Sequence, residues 1–125
     1  MKKTIALLCA LAPLVSGCAS SGPPVASGQM TEVEASIRSA ENAGAADSAV
    51  DLLDRARKAF AGARQASSRG DNDESRRLLD EAKAYAAAAE ARSNAEKLKM
   101  QAAELRRQAD ELESKAKQLQ ERARP

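Results

Sequence analysis

The amino-acid sequence predicts an all-α protein: a short helix, then an antiparallel helical hairpin whose last helix extends as a coiled coil. Three observations carry that expectation. Beyond residue 17 the chain holds 26 Ala but only 13 Leu, Ile, Val or Phe. That supply is too poor for a thick core, yet the accompanying Glu, Lys, Arg and Gln are strong helix formers. From Asp71 to Arg124 there is neither Gly nor Pro. Finally, Leu98, Leu105, Leu112 and Leu119 recur every seven residues.

The first seventeen residues follow the grammar of a targeting segment and stand outside the fold. Lys2 and Lys3 supply positive charge, and the stretch from Ile5 to Val15 is apolar. It is far shorter than the roughly 20 residues a membrane-spanning helix requires. The run Leu14-Val15-Ser16-Gly17-Cys18 resembles the lipobox of bacterial lipoproteins. That resemblance implies cleavage before Cys18, diacylglycerol on its sulfur and an acyl chain such as palmitate on its amino group. Two or three acyl chains anchor a protein stably where one does not. Cys9 would leave with residues 1–17 and lipid would consume Cys18, so no thiol remains for a disulfide.

Lys2 and Lys3 also account for the net charge of +2 and the isoelectric point near 8.7. From Cys18 onward there are 18 basic and 18 acidic side chains. Such an even mixture gives no electrostatic footprint for a phosphate backbone, and no nucleic-acid partner is expected. Residues 18–30 then read as the lipidated cysteine and a flexible tether rich in Gly, Ser and Pro.

Residues 31–125 read as an Ala-rich helical domain. Thr31 followed by Glu34 predicts a capping box, with Val33, Ile37 and Ala40 on one face and Gly44 as the stop. The first helix is therefore expected over about 32–43. A second, over about 48–69, starts at Asp47 and Ser48, carries Val50, Leu53, Ala56, Phe60 and Ala63 as its stripe, and ends at Gly70. Asp71 and Glu74 predict the cap of a third helix over about 72–123. Its first half presents Leu78, Leu79, Ala82, Tyr85, Ala86 and Ala89 to the second helix, which reaches only to about residue 93. Acid-first pairs at helical spacing (Glu34–Arg38, Asp51–Arg55, Asp54–Lys58, Asp73–Arg77, Glu111–Lys115, Glu113–Lys117) mark the charges as helix support.

Beyond residue 93 the pattern becomes a strict heptad. Ala95, Ala102, Ala109, Ala116 and Ala123 alternate with the four leucines, Ala at a and Leu at d. Nothing upstream is long enough to cover them. The expectation is a coiled-coil seam, Leu98, Leu105, Leu112 and Leu119 with Ala102, Ala109 and Ala116, that meets its own copy or a helical partner. The plainer alternative is a solitary Ala-rich helix held up by propensity and ion pairs.

Residues that carry chemistry are scarce. The sequence has no His and no Trp, no Gly-rich phosphate loop and no nucleophile elbow. Asp71, Asp73 and Glu74 lack the Gly turn and distal Glu of a calcium loop and read as a helix cap. No catalytic residue, metal site or cofactor is expected, and the chain is not expected to be an enzyme. Phe60 and Tyr85, the only aromatics, are expected to pack together in the hairpin core with Leu53 and Leu78.

The segment from about Ile37 to Ala103 resembles a domain of unknown function found in Ala-rich lipoproteins of Gram-negative bacteria. The resemblance rests on Ile37, Ala40, Ala43-Gly44-Ala45-Ala46, Leu52-Leu53, Ala56, Phe60, Ala63, Gly70, Leu78-Leu79, Ala82 and Ala86 to Ala89. It implies a helical fold resembling a single tetratricopeptide-like hairpin. Some such proteins continue into an OmpA-type peptidoglycan-binding domain; no strand-forming region for one is present here, so peptidoglycan binding is not carried over. The chain is also similar to small murein lipoproteins, but it has Arg122-Ala123-Arg124-Pro125 where they end in the Lys that joins peptidoglycan. Ala19 stands where Asp would favour the inner membrane, implying the periplasmic face of the outer membrane. The function expected is that of a lipid-anchored cell-envelope protein with a structural or adaptor role through helix–helix interaction. The rival is a periplasmic module binding a peptide or cell-wall fragment in a groove around Phe60 and Tyr85.

Overall fold

The computed structural model describes residues 22–124, so Cys18 and the targeting segment lie outside the described residues. Four helices follow in order: α1 (Ser27–Asn42), α2 (Ala45–Ser48), α3 (Val50–Ser68) and α4 (Asn72–Arg122). No strand occurs among the described residues. The fold is all-α, with α1 and α3 lying against the first half of a very long α4.

Glycine sets both main corners. Gly44 (φ +86°) and Gly70 (φ +77°) hold left-handed backbone that any side chain would strain. At Gly70 the amide of Asp71 donates to the Ala66 carbonyl and that of Gly70 to the Ser67 carbonyl, both at 3.0 Å. This is the paired-bond closure of a helix end. Two residues later α4 starts, with the Asp71 carboxylate accepting from the Glu74 amide at 3.4 Å. The expected cap at Asp71 is present, and α4 spans the expected stretch within one residue.

Two boundaries differ from expectation. The first helix begins at Ser27 rather than near residue 32. Thr31 is not its cap: its hydroxyl donates back to the Ser27 carbonyl at 3.2 Å, and Glu34 turns to Arg38 at 2.6 Å. The extra turn brings Met30 against the core, and Val25 packs there too. The second half of the expected tether is therefore built into the fold. Gly22 and Pro23 lie beside the start of α4, their carbonyls accepting from Asn72 at 2.9 Å and Arg76 at 2.5 Å. The second difference is a break at Ala49 (φ −145°, ψ 40°), which separates the single turn α2 from α3. Ala45 and Ala49 point inward there and are buried.

The core is a thin seam of Ala with a few larger residues: Val33, Ile37 and Ala40 from α1, Leu53, Ala56, Ala59 and Ala63 from α3, and Leu79, Ala82, Ala86 and Ala89 from α4. Small side chains let the backbones approach closely. At Gly62 an added Cβ would sit 3.2 Å from Leu78 Cδ1. Two serines of α4 are also buried, and both are satisfied, as buried hydroxyls must be. Ser75 donates to the Ala63 carbonyl at 2.9 Å, and Ser93 to the Ala89 carbonyl at 2.9 Å. Ion pairs rim the bundle: Lys83 with Glu32, Arg57 with Glu41 at 2.7 Å, and Arg92 with Asp51 at 3.1 Å. Of the pairs predicted from spacing, Glu34–Arg38 and Glu113–Lys117 form. Asp51 instead crosses to Arg92, and Arg55 lies over the Tyr85 ring, 5.7 Å from its centre.

Candidate interaction surface

Ser93 is the last buried residue of α4. From Lys97 to Arg124 every residue is exposed, yet the helix runs on to Arg122. At 1.5 Å per residue, the stretch from Asn94 to Arg122 projects about 44 Å beyond the bundle. We call it the arm. Its continuity follows from composition, since Ala, Glu, Lys, Arg, Gln and Leu favour helix at every turn. Bonds between neighbouring turns, Lys99 to Glu96 at 2.8 Å and Lys117 to Glu113 at 2.6 Å, add support.

On this arm Leu98, Leu105, Leu112 and Leu119 are 64–66% exposed. Their spacing places them on one face, with Ala102, Ala109 and Ala116 between them. An exposed leucine is ordinary on its own; four in a straight row are an unburied apolar stripe. The row's continuation toward the bundle, Ala91 and Ala88, is exposed, whereas Ala86, Ala89 and Ser93 are buried. The stripe therefore lies on the side of α4 turned away from α1 and α3. Met100, also 65% exposed, stands off that row, and the heptad did not single it out.

The residues expected to form the hairpin core belong to or pack against one core cluster. Leu53 is buried at 1% exposure, and Phe60, Leu78 and Tyr85 are half-buried at the edge of the core. Phe60 lines a shallow groove with Met30, Thr31, Glu34 and Arg64. Tyr85 lines a different one, with Arg55, Lys58, Ala59, Leu78 and Glu81. Each ring thus lines its own groove among the described residues. Phe60 faces the α1 side of α3 and Tyr85 the α4 side, a division that depends on how three helices pack, not on hairpin spacing. Among the described residues no group of three or more His, Cys, Asp or Glu side chains comes together as a metal site.

Charge perturbations are confined to exposed ion pairs. The Arg76 guanidinium, with help from the Gly22 amide, holds the Asp73 carboxyl below its ordinary range. Arg77 does the same to Glu74, and Lys99 to Glu96. The Glu32 carboxylate raises the Lys83 ammonium. Every one of these groups has an ion-pair partner.

The described residues thus form a small helical bundle from which one long helix extends uncovered. The chain belongs to the DUF4398 family, a domain of unknown function, whose profile matches residues 28–105. The match begins within α1 and ends in the arm at Leu105. Neither a curated protein nor a solved structure matches the chain.

Proposed function

We propose that this chain is a non-catalytic, lipid-anchored protein of the bacterial cell envelope, with a structural or adaptor role exercised through the arm. The observation that carries the reading is the row Leu98, Leu105, Leu112 and Leu119, uncovered on a helix that outruns its own bundle. Holding such a row on a rigid helix leaves about four leucines' worth of burial energy, 1.5–3 kcal/mol each, for a partner to supply.

The anchor rests on the run Leu14 to Cys18 and its resemblance to a lipobox, with the targeting segment 1–17 removed. The geometry of the described residues suits it. Gly22 and Pro23 dock beside the N-terminus of α4, at the end of the bundle opposite the arm. A membrane anchor at Cys18 would leave the arm pointing outward, its tip on the order of 75 Å from the start of α4. Ala19 after that cysteine supports placement on the periplasmic face of the outer membrane.

Two arms of one experiment test this reading. Cys18→Ser should release the protein from the membrane fraction and abolish acyl labelling. A photocrosslinking residue in place of Gln108, which flanks the row, should give one adduct of discrete mass in the envelope, lost on Leu105→Ala/Leu112→Ala. Labelling that survives Cys18→Ser would overturn the anchor, and a crosslink indifferent to the leucines would overturn the arm.

A further inference from the structure

We infer that the occupant of the leucine row is a second copy of this chain, lying antiparallel, with Arg106 of each copy against Glu113 of the other. This deepens the adaptor reading and rests on it.

The side-chain sizes choose the direction. Along the arm Ala and Leu alternate without exception from Ala95 to Ala123. In a parallel pair, equivalent positions meet, so Ala would face Ala and Leu would face Leu in alternate layers. The Leu layers would set the helix separation, and each Ala layer would then hold a void whose lining forfeits its contacts. In an antiparallel pair, a positions meet d positions. Every layer then holds one Ala and one Leu, and the helices keep one separation throughout. The row is complementary to its own reversed copy, which is what a two-fold interface demands.

The flanking residues choose the register. Just after each leucine stand Lys99, Arg106, Glu113 and Gln120. In an antiparallel pair these flanks meet their own kind from the other copy. One register sets Arg106 against Glu113 twice, by symmetry, and Lys99 against Gln120. Sliding by one heptad in one direction sets Arg106 against Arg106, which offsets the Lys99–Glu113 pairs that slide also makes; sliding in the other sets Glu113 against Glu113. Like charges at such positions disfavour a register, and opposite charges favour it. The opposite flank, Gln101, Gln108 and Lys115, brings no acid and so no competing pair.

The bundle does not obstruct this partner, because the row faces away from α1 and α3. The two bundles stand at opposite ends of the pair, with the starts of their α4 helices about 110 Å apart at 1.5 Å per residue.

Charge exchange and distance measurement test the inference on the chain from Ala19 onward, which contains the whole bundle and no cysteine. By sedimentation equilibrium, Arg106→Glu and Glu113→Arg should each weaken the dimer at least about tenfold at low salt. The double exchange should restore it to within about threefold, with helix content by circular dichroism unchanged throughout. Spin labels on Met100→Cys and Arg107→Cys report direction by pulsed EPR. In the antiparallel pair the label at 100 sits roughly 10 Å farther from its mate than the label at 107. Equal distances, or a double exchange that fails to restore, would overturn the antiparallel pair while leaving the adaptor reading intact. A chain that stays monomeric at all concentrations would overturn pairing with a copy altogether.

Discussion

The Ser48 hydroxyl lies 2.8 Å from the Ser93 hydroxyl, joining the single turn α2 to the last buried residue of α4. Ser93 passes the bond on to the Ala89 carbonyl, so the bundle is tied off where the arm begins. Ser48→Ala should leave Ser93 bonded to Ala89 and cost only about 0.5–1.5 kcal/mol. Urea unfolding followed at 222 nm measures it. A loss beyond about 3 kcal/mol would mean that the α2 turn is held mainly by this pair.

The Ala core has no slack. Ala86 and Ala82 are fully buried where α4 meets its neighbours, so Ala86→Leu must push helices apart, at about 1–3 kcal/mol or more. Leu53→Ala, at the largest fully buried side chain among the described residues, should cost about 2–5 kcal/mol through lost burial and a cavity. Both are read as lowered urea midpoints. A neutral Ala86→Leu would contradict the close helix approach described here.

Gly70 turns the chain between α3 and α4 with φ +77°, and nothing lies within 4 Å of where a Cβ would stand. The cost of Gly70→Ala is therefore conformational, about 1 kcal/mol, and should appear as a midpoint shift without loss of helix. A stabilising Gly70→Ala would show that the corner relaxes out of the left-handed region.

The ion pairs set a pH dependence of definite sign. Asp73 and Glu74 are held below their ordinary values by Arg76 and Arg77. Their support is present above the normal carboxylate range and is lost as pH falls through their lowered values. Lys83, raised by Glu32, supports the fold below its ordinary value and loses that support as pH climbs through the raised one. Because all of these pairs are exposed, salt should flatten both limbs. Asp73→Asn should remove part of the acid limb only; loss of the alkaline limb in that variant would contradict the assignment.

Much of this architecture is legible in the sequence because it is local. Gly44, Gly70 and the Asp71 cap mark corners through backbone preference alone, and the heptad of α4 is visible at a glance. The limit of the bundle near residue 93 follows from the length of α3. What the sequence concealed depends on contacts between distant segments. Thr31 carries the signature of a cap, but Met30 and Val25 find the core and draw the helix back to Ser27. The docking of Gly22 and Pro23 on Asn72 and Arg76 joins residues about fifty positions apart. Phe60 and Tyr85 line separate grooves because α1 adds a third helix beside the Phe60 side of α3. The break at Ala49 has no local breaker residue to announce it.

Sedimentation equilibrium of the chain from Ala19 onward, with and without Leu105→Ala/Leu112→Ala, shows whether the arm is an assembly surface. A dimer is expected that the double replacement converts to monomer, while the urea midpoint of the bundle stays in place because both leucines are exposed on the arm. A monomer in both cases, with the arm still helical, would contradict self-assembly through this row of leucines.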